Sequence, residues 1–169
     1  MKIAGIMLLV LMGGVAALNL LGRFFISEII QESAFAESSG IDAITANLAP
    51  YFELPNLAGN IIKSSDFLGA PAVITFWTTW NSAATDQIQI LDGAARKNTR
   101  NLFTMVAISS QEDKSAVSTF ISRGGYAIEV LLDESGAVTE AYQARTLPAT
   151  YFLDKEGVLR EVVTGILSE

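Results

Sequence analysis

The stretch AVITFWTTWNSAAT, residues 72–85, decides how the rest of the chain reads. Ala72 to Trp77 is a short apolar run bounded by turn signals, the pattern of a strand buried on both faces. Asn81 or Ser82 then offers a side-chain oxygen to cap a helix. That helix runs to about Lys97 and carries Ile88, Leu91 and Ala95 on one face.

Working outward, strands and helices alternate. Before the run, Phe52 and Leu54 alternate with polar neighbours. Asn56–Asn60 reads as a turn and Ile61-Ile62 as a return strand, so a small hairpin is expected. Ser64-Ser65-Asp66 starts a helical turn that Gly69 and Pro71 stop. After the first helix, Leu102–Ser109 is a second buried strand. Glu112-Asp113 opens a helix holding Val117, Phe120 and Ile121, and Gly124-Gly125 ends it. Ala127–Leu132 is a strand and Ala137–Gln143 a short helix. Ala149–Leu153 and Val158–Val163 are strands joined by the turn Asp154–Gly157. The order β-α-β-α-β-α-β-β from Ala72 predicts an α/β domain. Its mixed central sheet has parallel members joined by right-handed crossovers and an antiparallel hairpin at the end.

The N-terminal part has a different texture. Half of the 169 residues are apolar and the mean hydropathy is +0.39. Part of that excess sits in Ile3–Gly22, which carries no charge. About 20 apolar residues span a hydrocarbon core of roughly 30 Å, so an uncleaved single-pass anchor is expected over residues 1–22. Lys2 before the run keeps the N-terminus cytoplasmic and sends the rest outward. A cleaved signal peptide is the competing reading, with Val15-Ala16-Ala17 or Ala34-Phe35-Ala36 as the cut. Both readings place the domain outside the cytoplasm, in the periplasm or at the cell exterior. Residues 23–49 read as a juxtamembrane linker and 50–169 as the folded domain.

Composition removes several kinds of function. Residues 50–169 hold nine Lys/Arg against fourteen Asp/Glu, a net of −5, with no basic stripe to neutralise phosphates. Nucleic acid is therefore not an expected partner. The chain has no cysteine, which excludes disulfides, thiolate ligands and thiol nucleophiles. It also has no histidine, so neither a zinc site nor a Ser-His-Asp triad is available. No metal and no cofactor is expected.

FELPNLAGNIIKSSDFLGAPAVITFWTTW, from Phe52 to Trp80, resembles the opening hairpin and the Phe-Trp-Ala-Thr-Trp lead of the TlpA/ResA group. These are membrane-tethered, extracytoplasmic thiol-disulfide oxidoreductases of the thioredoxin fold. LPATYFLDKEGVLREVVTG, from Leu147 to Gly165, resembles the group's proline strand and closing hairpin. The resemblance implies a thioredoxin-like three-layer α/β/α domain whose reactive Cys-x-x-Cys follows the second Trp. Here Asn81 and Ala84 stand at the two thiol positions, with Ser82 and Ala83 between them. A thiolate lowered in pKa by the helix N-terminus starts the family chemistry; Asn81 forms none, and Ala84 resolves no mixed disulfide. Gln87 replaces a frequent acidic residue, Gln89 the usual proline, and Thr75 the buried aspartate of thioredoxins.

The resemblance further implies that Pro148 is cis. Leu147 before it then offers its backbone to an extended peptide, with Trp80 on the rim of the groove. It also implies a last helix after Gly165, of which only the beginning is present. The expected function is a membrane-tethered binding or scaffold domain, redox-inactive, that holds an exported polypeptide. The alternative is a part in thiol-disulfide homeostasis alongside a cysteine-bearing partner, or a different reaction using Ser82 and Asp86.

Overall fold

The computed structural model describes residues 47–167. The expected anchor and nearly all of the expected linker lie outside the described residues. Among the described residues no helix is long and apolar enough to cross a membrane.

The described residues form the strands β1 (Glu53–Pro55), β2 (Ile61–Lys63), β3 (Ala72–Trp77), β4 (Thr104–Ser110), β5 (Glu129–Asp133), β6 (Ala149–Leu153) and β7 (Leu159–Thr164). The helices are α1 (Ser82–Lys97), α2 (Lys114–Gly124) and the short α3 (Ala137–Ala141), with a 3-10 turn at Ser64–Phe67. β1 and β2 form the small hairpin, and the main sheet runs β5-β4-β3-β6-β7. β3, β4 and β5 are parallel, while β6 and β7 run antiparallel to their neighbours. The Ala72–Trp77 and Ala149–Leu153 strands have the bounds that the sequence predicts.

Alternation along β3 splits the core. Ile74 and Phe76 point to one face, where Val106, Ile108, Leu131 and Tyr151 join them against Phe52 and Leu54 of the hairpin, Phe67 and Tyr142. Trp77 points to the other face, where Ala107, Val130 and Leu132 pack under Ala84, Ile88 and Leu91 of α1 and Val117 and Ile121 of α2. Each large side chain so buried contributes roughly 1.5–3 kcal/mol. Rings reinforce the first face: Phe76, Tyr142 and Tyr151 pack with centroids 5.0–5.5 Å apart.

Several element ends differ from the sequence expectation, most of them because a side chain takes backbone groups out of the pattern. The second buried strand starts at Thr104, not Leu102. The Asn98 side chain accepts from the Leu102 N–H and donates to the Phe103 carbonyl, holding that segment to the end of α1. β5 starts at Glu129, not Ala127, since the Ala127 and Ile128 N–H groups both go to Asp92 Oδ1. α3 ends at Ala141, and Gln143 beyond it has φ +55°. β7 starts at Leu159 because the Val158 N–H bonds the Asp154 side chain. Asp113, not Glu112, caps α2 by accepting from Ser115 and Ala116; those bonds hold its carboxyl below the usual range.

Candidate functional site

The site is the junction of the α1 N-terminus with the segment before β6. Asn81 settles which residue caps α1. Its Oδ1 accepts from the Ala83 N–H at 3.0 Å, while Ser82 is exposed and bonds neither the helix nor Asp86. The same side chain has a second bond: Nδ2 donates to the Leu147 carbonyl at 2.8 Å. One carboxamide therefore joins the first turn of α1 to the residue before Pro148. The Leu147–Pro148 bond is cis. The Pro148 carbonyl accepts from Gly165 at 2.7 Å, and the Leu147 N–H meets no acceptor among the described residues. Trp80 stands 76% exposed beside this junction. Ala83 is half-buried and Ala84 fully buried.

Beneath the junction lies a neutral polar chain. Gln87 is fully buried on the inner face of α1. Its Nε2 donates to Thr150 Oγ1 at 3.2 Å, and its Oε1 accepts from the Leu167 N–H at 2.9 Å. Thr150 Oγ1 in turn lies 3.0 Å from Thr75 Oγ1 across the β3–β6 pair. Four groups from α1, β3, β6 and the segment after β7 thus satisfy one another, as buried polar groups must, and none of them titrates near neutral pH.

A carboxylate steadies the lead into the site. Glu112 accepts from the Thr79 N–H at 2.8 Å, from the Thr79 hydroxyl, and from Ser109 Oγ at 2.9 Å. It fixes Thr79, two residues before Asn81, to the end of β4. Three buried polar atoms nearby have no partner among the described residues: Trp77 Nε1, Thr78 Oγ1 and the Tyr142 hydroxyl. Burial first, and then neighbouring Tyr151, push the Tyr142 phenol far up, so it stays protonated.

Sequence reasoning placed Trp80, Asn81, Ser82, Ala83, Ala84, Leu147 and Pro148 at this site. The structure brings Asn81 and Leu147 into direct contact. The sequence reading missed three things: the second bond of Asn81, the clamp by Glu112 and the bridging role of Gln87. Only Gln87 carried a signal. It falls three residues after Ala84 and one before Ile88, on the inward stripe, and a lone amide there needs a buried partner.

This is a thioredoxin-like domain in a chain that has no cysteine. The chain belongs to the AhpC/TSA family, whose model matches residues 45–162, and within it to the TlpA/ResA-type redoxins. Thiol-disulfide oxidoreductase ResA of Bacillus subtilis is 31% identical over 121 residues, covering 72% of this chain and 68% of that protein. Among solved structures, a secreted disulfide oxidoreductase of Mycobacterium tuberculosis superposes with a TM-score of 0.62 at 27% identity, over 69% of this chain and 87% of its own. The exposed lipoprotein thioredoxin of Streptococcus pneumoniae gives 0.61 at 26%, over 70% and 92%.

Proposed function

We propose that this protein is a redox-silent polypeptide-binding module of the redoxin family, exported and tethered to the membrane by residues 1–22. The observation that carries the reading is Asn81, which fills the nucleophile's place with a group that forms no thiolate and takes no second sulfur. The structural relatives described as secreted and as an exposed lipoprotein support an extracytoplasmic domain, as does the uncharged run Ile3–Gly22.

The groove supports the binding role. An extended peptide placed along Leu147 finds that residue's N–H available, in the manner of strand addition. Its own N–H competes with Asn81 for the Leu147 carbonyl. The exposed Trp80 adds apolar contact area at the rim, of the kind that anchors partners.

Two measurements test this. The purified chain is expected to give no dithiol-dependent reduction of insulin; turnover above the buffer rate overturns redox silence. Crosslinking from membranes, comparing the native chain with one carrying Leu147→Pro and Trp80→Ala, is expected to lose a specific polypeptide adduct. An unchanged adduct pattern removes the groove. Mixing in cysteine-bearing candidates with Ser82→Ala as control tests the enzymatic alternative, which requires turnover that this substitution abolishes.

A further inference from the structure

A cleft of about 410 Å³ lies between the first turns of α1 and the length of α2. Thr79 and Thr85 border it on the α1 side. Ala116, Thr119, Phe120 and Arg123 border it on the other, at the spacing of one helix face. A cleft of this size is in the range of small-molecule sites, roughly 300–1,000 Å³.

Its apolar surface is aromatic. Phe120 and Tyr126 stack, with ring centroids 6.0 Å apart and planes at 26°. The Tyr126 ring lies against Gly124, where an added Cβ would come within 2.0 Å of it. Glycine at the end of α2 is therefore what lets that ring join the wall. On the buried side of Phe120 stands Trp77, fully buried, with its ring centroid 5.1 Å away.

Its charge is single and unspent. Arg123 is the one charged side chain lining the cleft. A basic residue in the last turn of a helix commonly serves the final carbonyls. Here the Ile121 and Ser122 carbonyls already accept from the N–H groups of Tyr126 and Gly125, and the Gly125 carbonyl takes Arg96. Arg123 has no hydrogen bond or ion pair among the described residues. Glu112, which is bonded to Thr79, has both oxygens occupied by Thr79 and Ser109.

We propose that this cleft binds a small aromatic carboxylate. The ring of the ligand packs on Phe120 and Tyr126 in an offset or edge arrangement. Its carboxylate takes the N–H groups of Arg123, a planar fork that matches two oxygens. The lining is helical except at Thr79 and Tyr126, and their N–H groups go to Glu112 and Ile121. An extended peptide finds no strand edge there, so ring and charge alone define the occupant. This site is separate from the groove at Leu147 and does not rest on it.

The test is nuclear magnetic resonance titration of the full chain in detergent micelles, with phenylacetate and its neutral analogue phenylacetamide as probes. The chain has two tryptophans, Trp77 and Trp80, so two indole N–H signals report the place of binding. Phenylacetate is expected to move the Trp77 signal through Phe120 and to move the Trp80 signal less. It is expected to bind about fivefold tighter than phenylacetamide. Arg123→Gln, at an exposed position, should remove that difference by weakening the acid alone. Gly124→Ala, which displaces the Tyr126 ring, should weaken both probes. Arg145→Gln, a cation outside the cleft, should change neither. Equal affinity for acid and amide, or an acid preference that survives Arg123→Gln, overturns the site. So does a titration that leaves the Trp77 signal in place, or one that moves Trp80 more.

Discussion

The two halves of α1 solve the problem of buried polarity in opposite ways. The N-terminal half uses neutral groups only: Asn81 to the Leu147 carbonyl, and Gln87 to Thr150 and the Leu167 N–H. The C-terminal half keeps a charge. Asp92, 7% exposed, accepts from the Ala127 and Ile128 N–H groups at 2.6 and 3.1 Å and from Arg96 Nε at 2.6 Å. Arg96 goes on to the Gly125 carbonyl at the end of α2. Both arrangements join α1 to distant parts of the chain, but only the second responds to protons. The comparison teaches that the charged end ties α1, the end of α2 and the start of β5 together independently of the neutral end.

The largest expected effect falls on the charged half. Asp92→Ala strands the Ala127 and Ile128 N–H donors, the second of them buried, and frees Arg96, at a cost of about 3 kcal/mol, read from the urea midpoint at constant slope. A loss under 1 kcal/mol would break the contrast. The pH dependence follows the same group. Burial by itself pushes the Asp92 carboxyl up; the Arg96 side chain and the Ala127 and Ile128 amides outweigh it and hold the carboxyl below its ordinary value. A lowered folded-state pKa contributes stability that is complete above the unfolded value, near 3.9. That stability drains away as pH falls through the folded value. Urea midpoints should therefore fall steeply below about pH 4, and Asp92→Ala should flatten that slope. The neutral half adds nothing to it.

Next in size is Gln87→Leu, expected to cost about 2 kcal/mol, because the Leu167 N–H loses its acceptor while Thr150 keeps Thr75. Hydrogen exchange should show the Leu167 amide unprotected before the rest of the sheet changes. A variant as stable as the native chain would mean that the neutral chain merely fills space.

This difference also marks what the sequence makes legible. The strand Ala72–Trp77, the capped helix after it and the closing hairpin are local patterns of periodicity and turn chemistry, and they read directly. The absence of cysteine reads directly too, because it needs no geometry. What did not read were bonds between residues far apart in the chain: Asn81 to Leu147, Glu112 to Thr79, Asp92 to Ala127. Asn, Glu and Asp are ordinary at helix ends and on helix surfaces, so nothing local distinguishes a cap from a clasp. The strand ends that moved, at Leu102 and Ala127, moved because the Asn98 and Asp92 side chains took their amides.

The smallest expected effect on stability is the most informative about the site. Asn81→Ala removes the α1 cap and the bond to Leu147, at a cost of about 1 kcal/mol. Peptide affinity should move the other way. With the carboxamide gone, the Leu147 carbonyl is free, and an extended peptide can give it an N–H while taking the Leu147 N–H in return. One added hydrogen bond of about 1 kcal/mol corresponds to roughly a fivefold gain in affinity, measured by anisotropy against a peptide with an apolar centre. Asn81→Asp separates the two bonds: its oxygen still caps the helix, but it offers no donor to Leu147. It should keep the stability and show the same gain. If Asn81→Ala and Asn81→Asp both weaken peptide binding, the Asn81 amide is itself a contact of the bound peptide and not its competitor.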